Sequence, residues 1–303
     1  MRYAVTHITT YSYDEDVTNS FGIANVTPRE LPHQHVESAD VHVVPAPADQ
    51  SSDVDFYGNT VTYFQVLEPH QRLEVTASSE VEVSNPTYDE VAFTQPWERA
   101  RPLVDPSLPG AWRAVDLAVA SPLVEHTQEA YDFGAVSLTQ GRGIVEAAED
   151  LMHRIHAGFD YDDTATTVTS TIPQIFEAEG GVCQDFAHLM LACLRAHGLA
   201  ARYVSGYLAT NPPPGRQRLV GADASHAWVE VWLPHFGADL QGAGTGQWLA
   251  LDPTNDTRAD DRYVSVAWGR DYADVPPVKG VIYTEATTST LMVSVDVAPD
   301  QQE

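Results

Sequence analysis

Cysteine is nearly absent from this chain of 303 residues, which has only Cys183 and Cys193. Two cysteines make no disulfide framework, and they are too few for a zinc site without histidine help. On one predicted helix they stand roughly 15 Å apart along the axis and cannot bridge. Basic residues are also scarce, 16 against 43 acidic ones, for a net charge of −27. A phosphate-binding surface needs the opposite sign, which argues against nucleic acid and anionic membrane as partners. The acid is spread along the chain and reads as a solubilising surface; a preference for basic substrates is the sharper alternative. No run approaches the roughly 20 apolar residues that span a bilayer. Met1 to His7 already alternates like a strand and holds no apolar signal segment, so the cytoplasm is the expected location. No internal repeat is visible.

What is present divides the chain in three. Residues 1–95 read as β. Arg2 to Tyr13 alternates, with His7, Thr9, Tyr11 and Tyr13 on one side. Val41 to Val44 and Arg72 to Val83 read as strands, and Gly58-Asn59 between strand formers signals a hairpin. An antiparallel, sandwich-like module is expected. Residues 96–135 begin with Pro96, Pro102, Pro106 and Pro109 and read as a linker with weak helix. Residues 136–303 open with a helical period in Ile144, Ala147, Ala148, Leu151, Met152 and Ile155. A short helix with Pro173 in its first turn ends at Gly180-Gly181, and a second stripe runs from Val182 to Leu194. Strands follow over Tyr203 to Leu208, His226 to Leu233 and Trp248 to Leu251, with Leu291 to Val297 last. Asn211 to Gly215 and Ala243 to Gly246 read as loops.

Cysteine attacks as the thiolate, so a nucleophilic site must favour the anion. A helix N-terminus does so, and Cys183 sits at one. Cys193 lies mid-helix on the apolar stripe and reads as an inert, buried thiol. A thiol nucleophile needs a base, and the base an orienter. His226 opens one strand with Trp228 on the same face; Asp252 closes another. If the two strands are neighbours, Asp252 can hold one imidazole nitrogen while the other faces Cys183. Singly, a histidine at a strand start or an Asp-Pro turn is more often structural.

Together the three stretches carry more. Gly180 to Leu189 (GGVCQDFAHL), Ser225 to Trp232 (SHAWVEVW) and Trp248 to Asn255 (WLALDPTN) resemble the core motifs of the transglutaminase-like superfamily, in its order of Cys, His, Asp. Tyr3 to Tyr13, Thr27-Pro28-Arg29, Gly58-Asn59 and Gly269 to Gly280 are similar to segments of its bacterial two-domain branch. The resemblance implies an α+β fold: an N-terminal β-domain, then a papain-like core whose Cys-bearing helix packs on an antiparallel sheet. It implies acyl transfer on a peptide or protein carboxamide, with Cys183 attacking, His226 protonating the leaving amine and Asp252 orienting His226. The thioester passes to an amine or to water. The Gly-rich run between Leu233 and Trp248 departs from the family pattern and bears on specificity.

Other candidates are weaker. Tyr161 and Gln184 are guesses for a second oxyanion donor beside the Cys183 N–H. Asp185 is expected to point to the helix N-terminus or a neighbouring strand. His153 and His156 lack a carboxylate partner for a metal, and His156 reads as partly buried. His33 and His35 lie in a loop. Asp160, Asp162 and Asp163 lack the glycine and glutamate of an EF-hand and read as a solvated loop. Arg270 and Asp271 are expected to pair. No metal and no cofactor are expected. Two rivals stand: a non-enzymatic binding or assembly protein that keeps the fold, and a zinc protein on Cys183 and His226.

Overall fold

The computed structural model describes residues 1–210, 225–235 and 246–300. The loop expected at Asn211 to Gly215 lies outside the described residues, as do 243–245 of the Gly-rich run. Five strands open the chain: β1 (Arg2–Ala24), β2 (Gln34–Val44), β3 (Asp49–Val54), β4 (Thr60–Val66) and β5 (His70–Val83). Helices follow: α1 (Ala111–Ala114), α2 (Gln128–Ser137), α3 (Ile144–Gly158), α4 (Ile172–Ala178) and α5 (Cys183–Ala196). The short strands β6 (Asp160–Tyr161) and β7 (Gly180–Gly181) pair between them. Then come β8 (Ala201–Leu208), β9 (Ser225–Leu233), β10 (Gln247–Asp252), β11 (Thr257–Arg258), β12 (Tyr263–Gly269), β13 (Val278–Thr284) and β14 (Ser289–Pro299).

β1 is the spine of the first sheet. Its first half pairs with β5 on one side and β14 on the other. The register breaks between Ser12 and Val17, where the exposed acidic run Asp14-Glu15-Asp16 cannot continue a half-buried pleat. Beyond it, the second half pairs with β4 and β13. β2 flanks β5, and β3 flanks β4. One apolar cluster draws Phe64 and Val66 from β4 together with Leu73 and Val75 from β5 and Val43 from β2, so the two arms share an interior. The hairpin expected at Gly58-Asn59 forms between β3 and β4. Gly58 takes φ +77°, a value a Cβ resists, and the Asp55 carboxylate accepts the Tyr57 and Asn59 N–H groups.

Of the last two strands, both within the span read as 136–303, only Leu291 to Val297 was legible as a strand. β13 and β14 return to the first sheet and follow β1 along one side. Alternation marks a strand without naming its partner, and this partner lies at the other end of the sequence.

The second sheet runs β11-β10-β9-β8-β12, all antiparallel. α5 lies on the face made by Ala227, Val229, Val231 and Leu233, all buried. The α3 stripe foreseen from periodicity is buried throughout, from Ile144 to Ile155. The two parts share one core: Tyr3, Val5, Val81, Val83, Val295 and Val297 join the helices and the second sheet in a single cluster. His7 on β1 bonds the Tyr207 hydroxyl on β8 at 3.1 Å. The Pro-rich segment also packs down: Trp97 and Ala100 are buried, and the Trp97 indole donates to the Thr139 carbonyl.

A second tie joins the parts through arginines. Arg202 pairs with Glu230, both buried, and its guanidinium lies 4.2 Å from the Trp248 ring centre and 3.4 Å from that of Trp268. Arg29 covers Trp268 at 3.5 Å and donates to Asn59 and to the Tyr57 carbonyl. The Thr27-Pro28-Arg29 and Gly58-Asn59 segments therefore meet at one joint.

Candidate active site

α4 ends with Glu179 in the left-handed region, and β7 leads into α5. Gly181 sits at φ +157°, and a Cβ there would lie 2.5 Å from an Asp185 carboxylate oxygen. That carboxylate folds back as expected: it accepts the Val182 N–H at 2.9 Å and the Thr166 hydroxyl at 2.6 Å. Asp185 thus closes the helix start and aims the chain so that Cys183 stands at its first turn. Burial raises the Asp185 pKa, against the lowering effect of those hydrogen bonds.

The two thiols differ as their positions foretell. Cys183 is half-buried; Cys193 is fully buried, and desolvation pushes its thiol up to about 12.

β9 and β10 are neighbours, with Val229 opposite Leu251. This brings the His226 Nε2 to 2.7 Å from Asp252 Oδ2. Nε2 also lies 3.3 Å from the Asn255 amide, so Nδ1 is the nitrogen left for Cys183, which acts on the imidazole from its other side. Burial disfavours the imidazolium, but hydrogen bonds to Asp252 and Cys183 outweigh it and raise the pKa to about 10. Asp252 is fully buried. Its Oδ2 also accepts from the Asn255 amide and the Tyr263 hydroxyl, both at 2.7 Å. Its Oδ1 accepts the N–H groups of Thr254 at 2.9 Å and Asn255 at 3.2 Å. Burial works against its charge, yet the donors from His226, Asn255 and Tyr263 hold the pKa below the ordinary carboxylate value. The result is a thiol, an imidazole and a carboxylate in series, on a helix start and two strand ends.

Two contributors escaped the sequence reading. Tyr263 lies on β12, whose alternation Tyr263-Val264-Ser265-Val266-Ala267 was legible but not read. The second is a clamp from α3 on the loop behind Asp252. His153 bonds Asp256, His156 Nδ1 bonds the Thr254 carbonyl at 3.0 Å, and Arg258 pairs with Glu149. His156 is exposed, contrary to expectation, because it reaches across to that loop.

The Gln184 amide donates to the Val168 carbonyl at 3.0 Å. Tyr161 is 65% exposed and close enough to Cys183 for the two charges to interact. Asp160, Asp162 and Asp163 are exposed, and Asp162 accepts the Thr164 N–H and hydroxyl. Arg270 pairs with Asp274, not with Asp271. Asp271 is buried and accepts N–H groups of Leu123 and Ala273, since the turn Asp271 caps carries Asp274 back to Arg270. His35 pairs with Glu30. Among the described residues no cluster of three His, Cys, Asp or Glu side chains is placed to hold a metal ion. No described helix is long and apolar enough to cross a membrane.

An α+β protein with a cysteine-bearing helix on an antiparallel sheet, preceded by an antiparallel β-domain, is the class this architecture defines. Known proteins narrow it. Residues 3–82 match the bacterial transglutaminase-like N-terminal region, and residues 135–253 match the transglutaminase-like superfamily. An uncharacterized protein of Mycobacterium tuberculosis is 46% identical over 301 residues, covering 98% of this chain and 93% of that one. A protein-glutamine gamma-glutamyltransferase of Pseudomonas aeruginosa is 38% identical over 81 residues, which are 26% of this chain and 11% of that protein. A solved structure from Cytophaga hutchinsonii, a candidate cysteine protease, shares the fold with a TM-score of 0.73 over 98% of this chain and 97% of that one, at 17% identity. The chain belongs to the bacterial transglutaminase-like proteins, with their N-terminal region and transglutaminase core.

Proposed function

We propose that this protein is a thiol-dependent acyl-transfer enzyme acting on carboxamides of peptides or proteins. The observation that carries the reading is the series Cys183, His226, Asp252, with the imidazole held at 2.7 Å from a fully buried carboxylate. In this reading the Cys183 thiolate attacks the carboxamide carbon while His226 holds the proton. The tetrahedral adduct collapses as His226 gives that proton to the leaving amine, and a thioester remains. Water or a second amine then attacks, returning its proton to His226 and restoring the thiol. Asp252 stays ionised and keeps Nε2 occupied, which leaves Nδ1 to work at the sulfur.

Mass spectrometry tests it. Wild type and Cys183→Ala are incubated with glutamine-containing peptides, with and without a primary amine. Wild type alone should produce an amine adduct, a deamidated peptide or a cleaved one. Iodoacetamide should label Cys183 first and leave Cys193 untouched in the folded protein. Equal, slow labelling of both, with no product from any peptide, favours instead a binding protein that keeps the fold.

A further inference from the structure

We propose that the outer edge of β13 joins two copies of this chain about a two-fold axis, strand against strand. Among the described residues β13 pairs with β1 alone, so its second row of backbone donors and acceptors has no described partner strand. Such an edge is a template for another strand, and natural edges are blunted by charge, proline or a bulge. β13, Val278-Lys279-Gly280-Val281-Ile282-Tyr283-Thr284, has no proline and no acid. Its one charge, Lys279, reaches back to the Ala273 carbonyl. The middle of the strand is apolar on both faces: Val281 is 62% exposed, Ile282 37% and Tyr283 60%. Phe21 and Tyr63 extend the patch across β1 and β4, and the Phe21 ring meets that of Tyr283. A groove of about 590 Å³ lies between Phe21, Tyr63 and Val281, with one acid, Asp49 of β3, and one base, Lys279, in its lining.

Charge selects the occupant. Two copies at −27 repel each other over most of their surface. The second half of β1, β4 and β13 contain no Asp or Glu, and Lys279 is the only lysine in the chain. A basic partner is drawn to the acid elsewhere; a second copy meets no like charge along this strand. The strand also complements itself. Antiparallel pairing centred on Val281 uses all of β13 and sets Lys279 opposite Tyr283 of the second copy, an ammonium against a phenol ring. The contact is isologous and closed.

Sedimentation velocity of the whole chain tests it. A dimer is expected at about 100 μM, tightening roughly 10-fold between ~0.05 and ~0.5 M NaCl as repulsion is screened. A double substitution, Val281→Asp with Tyr283→Asp, sets four acids across the contact and should leave a monomer under both conditions. Both side chains are exposed, so circular dichroism and Tm should be unchanged; if the variant unfolds, hydrogen exchange on wild type decides. The amides of β13 should gain protection as concentration rises. A wild type that stays monomeric at both salt levels overturns the proposal. So does a folded double variant that still dimerises, a contact that weakens with salt, or protection that arises away from β13.

Discussion

Two buried ion pairs stand four residues apart on the same face of β9, with Trp228 between them. His226 meets Asp252; Glu230 meets Arg202. Each sets a carboxylate against a nitrogen base in a site shut off from water. They differ in whether the base can let its proton go. Guanidinium stays charged at any ordinary pH, so Glu230–Arg202 is a fixed pair, held between two indoles. Imidazole can release its proton, and His226 keeps a second nitrogen free of the carboxylate, with the Cys183 thiol acting on the ring. One strand therefore carries a joint and a candidate proton carrier, distinguished by the chemistry of one partner.

That contrast can be broken in graded ways. Asp252→Asn keeps the shape and inverts the hydrogen-bond polarity at Nε2, so the wrong tautomer faces Cys183. On the proposed chemistry, kcat on a glutamine peptide should fall by about 10³–10⁴, with Tm lowered less than in the next variant. Glu230→Gln leaves the Arg202 charge buried and unpaired. Chemical denaturation should show a loss of about 3–5 kcal/mol, while kcat per folded molecule stays within roughly twofold. An equal catalytic loss in both variants would erase the distinction.

Tyr263→Phe falls between them. It removes one donor from a buried carboxylate, an effect of about 1.5–3 kcal/mol. Asp252 then takes up a proton at higher pH, so the acid limb of the pH–rate profile should move upward. A profile that does not move would make Tyr263 a packing residue only. The last test reads the stability of the wild type against pH. The His226 pKa is raised to about 10 in the fold, so its contribution is complete below the ordinary histidine value and is lost as pH rises through about 10. Asp252 is lowered, so its contribution is present above the ordinary carboxylate value and is lost as pH falls through the folded one. The Tm of wild type should therefore fall towards both limits, and the alkaline fall should vanish in His226→Gln.

Local signals made much of this legible. The α3 stripe, the paired glycines before α5 and the two strand ends are short-range patterns. The covalent chain alone puts Cys183 at a helix start and Cys193 inside the helix. What stayed hidden was non-local. Tyr263 reaches Asp252 from β12, which lies beyond β8 and β9 in the sheet order. The His153 and His156 contacts depend on how α3 crosses the loop after β10. Arg270 has Asp271 as its neighbour, but the turn bends back to offer Asp274, and adjacency misled.

The pairing of β1 with β14 also bears on how the protein comes into being. Tyr3 lies opposite Pro299, so β1 must wait for the whole stretch between them before its edge is covered. At about 5–20 residues per second of synthesis, that wait lasts tens of seconds. During it, the early sheet presents a bare row of backbone N–H and C=O groups to the ribosome's surroundings. Contacts of such sequence separation slow folding, and a chain stopped before residue 278 should never finish. It should emerge as a chaperone client, recovered in the insoluble fraction.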